Sequence, residues 1–360
     1  MISVSKQDRL LVVAPHPDDE SLGTGGLLQR AFAGGAEVRI LFATNGDNNP
    51  WAQRYCERRW NINAKDRDRW GARRQEEALA AISCLGGSSE CARFFNIPDQ
   101  SLTKTLMDGG VEIVDRLIQE LQEYRPTLLA IPTRHDAHPD HSALAVLLAF
   151  AIKRMANPPT RIFEYLIHRP RVRIRRERVA LRLTSKEVAC KYEAILRHET
   201  QVALSRARFT AFARSVEVYY PFFAGRIELL PIIDVSCRPD ALTLRLLVRK
   251  RERIGSSLLL IFGLEDHYPQ QRWRIPLPVN SGRTSVFDCS TGSTLGHATV
   301  RWTGREVNIV VPLFDAPPLQ MLFIKLAGWA VFFERSGWCQ ATSLLSAELT
   351  DHREAFATAS

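Results

Sequence analysis

The sequence lacks any apolar run close to the ~20 residues that a membrane-spanning helix needs. Its first ten residues, MISVSKQDRL, lack the apolar core of a signal peptide. We therefore expect a cytosolic protein.

Paired cysteines are also missing. The chain has 7 cysteines in 360 residues, and none of them belongs to a CxxC motif. An odd, scattered set argues against both a disulfide framework and a zinc site made of thiolates. We interpret these residues as reduced, mainly structural thiols: Cys56, Cys84, Cys91, Cys190, Cys237, Cys289 and Cys339.

Positive charge is abundant, and it is concentrated. The formal net charge is +9, with eight Lys or Arg against three acids in residues 54–74 and six Arg against one Glu in residues 169–178. Such patches attract a phosphorylated substrate, anionic lipid at a membrane surface, or nucleic acid, but a solvated or internally paired face is the equally simple alternative. No zinc finger, RNA-recognition signature or helix-turn-helix accompanies the charge, so we expect no nucleic-acid partner.

The first part of the chain alternates strand and helix patterns. Leu10 to Ala14 and Val38 to Ala43 are short apolar runs typical of strands buried on both faces, and Leu22 to Ala33 between them has helical spacing. This βαβ unit is followed by a predicted helix from Arg73 to Leu85, and the alternation continues with predicted strands at 91–97 and 127–132 and a helix at 108–124. We predict an α/β fold with a mainly parallel sheet and helices on both faces.

Residues 49–70 form a long loop or short helix in this prediction. The segment contains Trp51, Tyr55, Trp60 and Trp70 among arginines. Long segments at the carboxyl edge of a sheet are often binding segments, and aromatic rings beside Arg suit a sugar, an aglycone or a phosphate. A structural insertion with its rings turned inward is the alternative.

Two dense His/Asp clusters follow predicted strands. The first is APHPDDE at 14–20, and the second is TRHDAHPDH at 133–141. Taken alone, the first could be a strand exit whose Asp residues cap a helix. The carboxyl ends of parallel strands share one edge of the sheet, so the two clusters can meet and complete a metal site. Nitrogen and carboxylate donors without Cys favour zinc, and they also accept iron or manganese.

The sequence pattern changes after about residue 225, where short segments typical of β-strands are separated by Gly, Pro, Ser or Asp turns. We predict a β-sandwich at 225–345 and a weakly ordered tail at 346–360. Residues 168–183 alternate Arg with apolar residues and predict an edge strand or hairpin. The second part contains no further His/Asp cluster, so we interpret it as an accessory domain, with oligomerisation or partner recognition left open.

Five segments of the chain together resemble a known protein family. They are APHPDDE at 14–20, TNGD at 44–47, RQEEALAAISCLG at 74–86, HPDH at 138–141 and KYEAILRHETQ at 191–201. Over about residues 8–220 the chain resembles the LmbE/PIG-L family of zinc-dependent de-N-acetylases. The resemblance implies a Rossmann-like fold with one zinc ion, and a catalytic domain at 1–224. It also implies a hydrolase that removes the acetyl group from an N-acetylated amino sugar of a soluble, nucleotide-linked or lipid-linked glycoconjugate. An amidase acting on a thiol conjugate or another secondary amide, and a non-catalytic protein that binds a sugar or nucleotide, are the alternatives.

The resemblance also implies residue roles. It makes His16, Asp19 and His141 the zinc ligands and Asp18 the general base. His138 would stabilise the oxyanion or donate a proton, and Asp140 would orient His138. Arg74, Asn45 and Asp47 would line the substrate pocket.

Overall fold

The computed structural model describes residues 2–170, 176–222, 231–238, 240–249, 253–263, 271–313, 321–328 and 333–341. The first part of the chain forms one mixed sheet of seven strands in the order β3-β2-β1-β4-β5-β7-β6. Its five strands β3, β2, β1, β4 and β5 are parallel, and β7 and β6 continue the sheet in antiparallel pairing. The strands are β1 (Arg9–Ala14), β2 (Glu37–Thr44), β3 (Ala92–Ile97), β4 (Leu128–Pro132), β5 (Arg161–Tyr165), β6 (Val179–Arg182) and β7 (Val216–Pro221).

Eight α-helices connect or cover these strands within the described residues. They are α1 (Asp19–Ala33), α2 (Pro50–Glu57), α3 (Ala64–Cys84), α4 (Leu102–Met107), α5 (Val111–Tyr124), α6 (Pro139–Lys153), α7 (Ser185–Arg197) and α8 (Glu199–Thr210). Two apolar cores, one on each face of the sheet, contain β1 side chains that alternate between the faces. The predicted α/β fold with a mainly parallel sheet is therefore confirmed. None of the described helices combines the length and the apolar character required to cross a membrane.

The predicted helix boundaries differ from the observed ones. The helix predicted at 73–85 begins at Ala64, where Asn63 and Asp66 form a capping box. The segment 49–70, predicted as a long loop or short helix, contains the short helix α2 and the start of α3. The helix predicted at 108–124 is α5, which begins at Val111 because Gly109 and Gly110 have positive φ angles and separate it from α4, a helix that the sequence did not predict. The predicted edge strand at 168–183 is β6, although residues 171–175 lie outside the described part.

The second part of the chain is an antiparallel sheet of nine strands in the order β16-β15-β10-β11-β12-β13-β14-β9-β8. The sequence predicts a β-sandwich here; the structure shows the described strands joined in a single sheet. Most of its buried side chains form a core of their own, and several from β10 and β15 join a core of the first sheet. The predicted tail at 346–360 lies outside the described residues. The strands are β8 (Ile232–Cys237), β9 (Ala241–Leu247), β10 (Ser257–Gly263), β11 (Gln271–Pro276), β12 (Gly282–Asp288), β13 (Thr294–Thr303), β14 (Glu306–Pro312), β15 (Met321–Ala327) and β16 (Cys339–Gln340).

The second sheet packs against α6. Phe323 of β15 contacts Phe150 of α6 edge to face, with ring centroids 5.4 Å apart, and Ile261 of β10 belongs to the same apolar core. As a result α6 is buried on nearly all sides, which explains why its sequence is apolar from Ala143 to Ile152.

Candidate metal centre

The two His/Asp clusters meet at the carboxyl edge of the first sheet. Residues 15–18 follow β1 and lead into α1, and residues 133–138 follow β4 and lead into α6. Because β1 and β4 are neighbouring parallel strands, their carboxyl ends place both clusters side by side. The predicted meeting of the two clusters is therefore observed.

Three donor atoms of these clusters form a nearly equilateral triangle. His16 Nδ1, Asp19 Oδ2 and His141 Nε2 are each 3.2 Å from the other two. Ligands of one tetrahedral zinc ion, with bonds of about 2.0–2.1 Å, lie about 3.3 Å apart. All three side chains are buried. The donor set and its spacing therefore fit a tetrahedral metal ion with a fourth position free.

Carboxylates hold the outer nitrogens of both imidazoles. His141 Nδ1 lies 3.3 Å from Asp136 Oδ2, and His16 Nε2 lies 3.0 Å from Asp99 Oδ1. Such carboxylate partners fix the ring orientation and increase the basicity of the ligand. Asp136 is itself held in place, since its carboxylate accepts hydrogen bonds from the backbone N–H groups of Ile167 and His168.

The electrostatics of the triangle favour a cation. Burial alone would lower the pKa of His141, but the carboxylates of Asp19 and Asp136 raise that pKa to about 10. Burial likewise opposes ionisation of Asp19, yet the neighbouring His141 and His16 hold the pKa of Asp19 well below its ordinary value. The surrounding carboxylates thus stabilise positive charge at the place where the three donors converge.

Asp18 lies beside this triangle and pairs with Arg74. Arg74 Nη2 is 3.0 Å from Asp18 Oδ2. Burial raises the pKa of Asp18 to about 6, although the Arg74 guanidinium opposes this rise. A carboxylate with a pKa near neutrality is suited to accept a proton at physiological pH.

Arg74 is held rigidly in its position. Its Nη1 and Nη2 groups donate hydrogen bonds of 2.8 Å to the carbonyls of Gly46 and Pro17. Gly46 has a φ angle of +60°, and a Cβ atom at this residue would lie 1.9 Å from Arg74 Nη1. Only glycine allows this close approach, and it comes from the TNGD segment that follows β2.

His138 caps α6 and faces the two histidines of the triangle. Its Nδ1 accepts a hydrogen bond of 3.3 Å from the Asp140 backbone N–H, so a neutral ring carries its proton on Nε2. Burial and the charges of His16 and His141 keep the pKa of His138 well below its ordinary value. Its ring centroid lies 4.7 Å from that of His16 and 5.0 Å from that of His141.

The other predicted site residues support the site from outside the pocket. Asp140 accepts hydrogen bonds from the backbone N–H groups of Gln100 and Leu102, at 2.7 and 3.0 Å, and approaches His16 rather than the His138 ring. Asn45 accepts a hydrogen bond from Gln75, and Asp47 accepts one from the Asp99 backbone N–H. These three residues do not line the cavity described below, whereas Arg74 does.

Sequence reasoning missed Asp99 and His168. Asp99 follows β3, and His168 follows β5, so both lie at the same carboxyl edge as the two clusters. The atoms of His168 lie close enough to those of Asp19 and His141 to share a metal with them, and burial lowers the pKa of His168 to about 4. Inspecting the residues after every parallel strand would have identified both.

A cavity of about 270 Å³ opens onto this centre. His16, Asp18, Asp19 and His138 line it together with Arg74. Side chains from α2, α8 and the second part of the chain line it as well: Trp51, Leu204, Arg208, Phe209 and Phe333.

Comparisons with known proteins connect part of the chain to one protein family. The model of one protein family, PIG-L, described as GlcNAc-PI de-N-acetylase, matches residues 11–152. A 1D-myo-inositol 2-acetamido-2-deoxy-alpha-D-glucopyranoside deacetylase of Mycobacterium avium is 31% identical over 151 residues, which are 38% of this chain and 49% of that protein. The deacetylase of the same name from Rhodococcus jostii is 30% identical over 163 residues, 40% of this chain and 53% of that protein. The chain therefore spans about half the length of these relatives.

Among solved structures, the N,N'-diacetylchitobiose deacetylase of Pyrococcus horikoshii aligns with a TM-score of 0.46 and 19% identity. That alignment covers 60% of this chain and 84% of that protein.

Proposed function

Because residues 11–152 match the PIG-L family model, we propose that the chain is a metal-dependent hydrolase that removes the acetyl group from an N-acetylated amino sugar. The observation that carries the proposal is the triangle of His16, Asp19 and His141 donors with Asp18 beside it, bound to Arg74 rather than to the triangle. This arrangement separates metal binding from proton transfer. A non-catalytic binding protein would have no need for a buried carboxylate held next to a metal site.

His16, Asp19 and His141 would hold one ion per chain, and we propose zinc because the donors are two nitrogens and one carboxylate oxygen. Zinc in such a site lowers the pKa of water to about 7 and polarises a carbonyl group.

The chain's own residues carry the protons. Asp18 accepts a proton from the attacking water as the new C–O bond forms at the acetamide carbon. The Nε2–H of His138 donates a hydrogen bond to the oxyanion that develops on the carbonyl oxygen. Asp18 then returns the proton to the sugar nitrogen, the C–N bond breaks as the oxyanion re-forms the carbonyl, and acetic acid and the free amine are released.

Metal analysis and acetate release test this proposal together. Asp18→Asn should retain about one metal ion per chain and lose activity by a factor of about 10²–10⁴, since it removes the general base but no ligand. His141→Ala should lose the metal, because only two donors of the triangle remain. Activity should disappear after chelation and return when zinc is added.

The control is Asp68→Asn, because Asp68 is exposed on α3 and the change removes the same charge far from the metal donors. Wild-type activity in Asp18→Asn would exclude the mechanism. Absence of acetate release from every N-acetylhexosamine tested with metal-loaded protein would exclude the deacetylase function.

A further inference from the structure

Three large apolar side chains are exposed at the mouth of the catalytic cavity. Trp51 is 53% exposed, Leu204 is 50% exposed and Phe333 is 41% exposed, and all three line the cavity that contains Asp18 and His138. They come from three separate elements, namely α2, α8 and the second part of the chain. Apolar side chains that gather at one opening, rather than being scattered singly, indicate a binding surface.

Phe333 is fixed next to the reactive groups. The residue after it, Glu334, donates a backbone hydrogen bond of 2.8 Å to the carbonyl of Ala137, within the second His/Asp cluster. Trp338 donates another of 2.7 Å to the carbonyl of Arg134. The Phe333 ring centroid lies 4.8 Å from that of His168 and 6.0 Å from that of His138. The segment between β15 and β16 thus contributes one side of the catalytic pocket.

The cavity therefore has two chemically different zones. Its inner zone, with Asp18 and His138, suits the acetamide, whereas Trp51, Leu204 and Phe333 form an outer zone that offers mainly apolar surface. Sugar hydroxyls bind best where side-chain or backbone groups can hydrogen-bond to them, and an apolar group binds best where flat apolar walls surround it. The Arg208 guanidinium lies over the Phe333 ring, 5.3 Å from its centroid, and extends the surface on which a flat ring can stack.

We propose that the outer zone binds an aromatic aglycone attached to the N-acetylated sugar, and that Phe333 and Trp51 are specificity-determining residues. The inference rests on the proposed deacetylase function and names its substrate class. It also gives the second part of the chain a role in substrate recognition.

The test compares two substrates that differ only in the aglycone, 4-nitrophenyl and methyl N-acetyl-β-glucosaminide. Acetate release gives kcat/KM for each, and their ratio measures the preference for the aromatic group. The wild type should prefer the 4-nitrophenyl glycoside. Phe333→Ala should reduce this preference by about 10-fold, because one aromatic contact and its buried area are lost.

Two further variants make the test specific. Trp51→Ala should also reduce the preference for the 4-nitrophenyl glycoside. Because Trp51 lies on a different element from Phe333, the outcome does not depend on the stability of one variant. Trp60→Ala is the matched control, since Trp60 is 76% exposed and does not line the cavity, and it should leave the ratio unchanged. Phe333→Ala should also bind the deacetylated product, 4-nitrophenyl β-glucosaminide, more weakly than the wild type does. The increase in Kd should be similar in size to the loss of preference.

The outcomes separate the two proposals. If neither glycoside releases acetate, the proposed function is wrong. If both are hydrolysed and Phe333→Ala and Trp51→Ala keep the wild-type ratio, the deacetylase function stands and the aromatic subsite is wrong, and the exposed rings then belong to a protein contact.

Discussion

At the scale of single residues, two adjacent aspartates have opposite properties. Burial raises the pKa of Asp18 to about 6, whereas two imidazoles overcome burial and keep the pKa of Asp19 well below its ordinary value. The difference arises from their neighbours, because Asp19 points at His16 and His141 and Asp18 points at Arg74. Neighbouring carboxylates with such different environments are typical of sites where one binds and the other transfers a proton.

Arg74 is expected to position Asp18 rather than to bind substrate. Its guanidinium spans Asp18 and the two carbonyls of Gly46 and Pro17, a fork that a lysine ammonium cannot reproduce. Arg74→Lys should therefore lower kcat by about 10-fold or more, from misplacement of the base. The KM should change much less, and the metal content should stay the same.

Steady-state kinetics with Arg73→Lys as the control checks this expectation. Arg73 neighbours Arg74 on α3 and makes an ion pair with Glu77, but it does not line the cavity. A rise in KM with unchanged kcat in Arg74→Lys would instead assign Arg74 to direct substrate binding.

At the scale of elements, the amino end of α7 is held by a capping box and by an ion pair to α1. Thr184 caps the helix and accepts a hydrogen bond from the Glu187 backbone N–H. The Glu187 carboxylate accepts hydrogen bonds from the Thr184 backbone N–H and from Arg30 Nε. Arg30 belongs to α1, which carries Asp19 at its first turn, so this contact connects α7 to the element that carries a proposed ligand.

The contribution of Glu187 to stability should depend on pH. Its hydrogen bond with Arg30 lowers the pKa of Glu187 from 4.5 to about 2. A lowered pKa means that the ionised carboxylate stabilises the fold at pH values above about 4.5, and that this contribution decreases as the pH falls from 4.5 toward 2. Glu187→Gln keeps an acceptor for the Thr184 backbone N–H but loses the ion pair with Arg30. It should therefore be less stable than the wild type by about 0.2–1 kcal/mol at pH 7.

Urea unfolding of both proteins at pH 7, 5 and 3.5 measures this difference. It should be equal at the two higher pH values and smaller at the lowest. Glu193→Gln is the control, since Glu193 is exposed on the same helix. A difference that grows as the pH falls would contradict the assigned direction.

The sequence predicts those parts of the site that depend on local patterns. The clusters at His16 and His141 follow recognisable apolar strands, and parallel pairing of β1 and β4 is enough to bring them together. Asp99 follows β3, a strand that the sequence predicts, but it stands there without a neighbouring histidine. His168 follows β5, whose apolar pattern is weaker because its first three residues are only half-buried. Phe333 could not be predicted, since it reaches the pocket through backbone contacts with residues almost two hundred positions earlier in the chain.

At the scale of the whole molecule, the two sheets share a core through α6. Leu259, Ile261, Met321 and Phe323 of the second sheet belong to the same apolar cluster as the residues of α6. Since α6 begins with the HPDH segment, the packing of the second sheet against α6 also supports His141. The accessory role predicted from the sequence is thus accompanied by a structural one.

Truncating this shared core should loosen the first part of the chain as well as the second. Phe323→Ala removes the ring that contacts Phe150 and should cost about 3–5 kcal/mol of unfolding free energy. Amide hydrogen exchange, followed by mass spectrometry of peptides, should then accelerate in α6 as well as in β15.

Val300→Ala is the matched control, because Val300 is equally buried but lies in the core that belongs to the second sheet alone. It should accelerate exchange within the second sheet and leave α6 unchanged. Unchanged α6 exchange in Phe323→Ala would mean that the two sheets are energetically independent, and that the support given to His141 comes from the first sheet only.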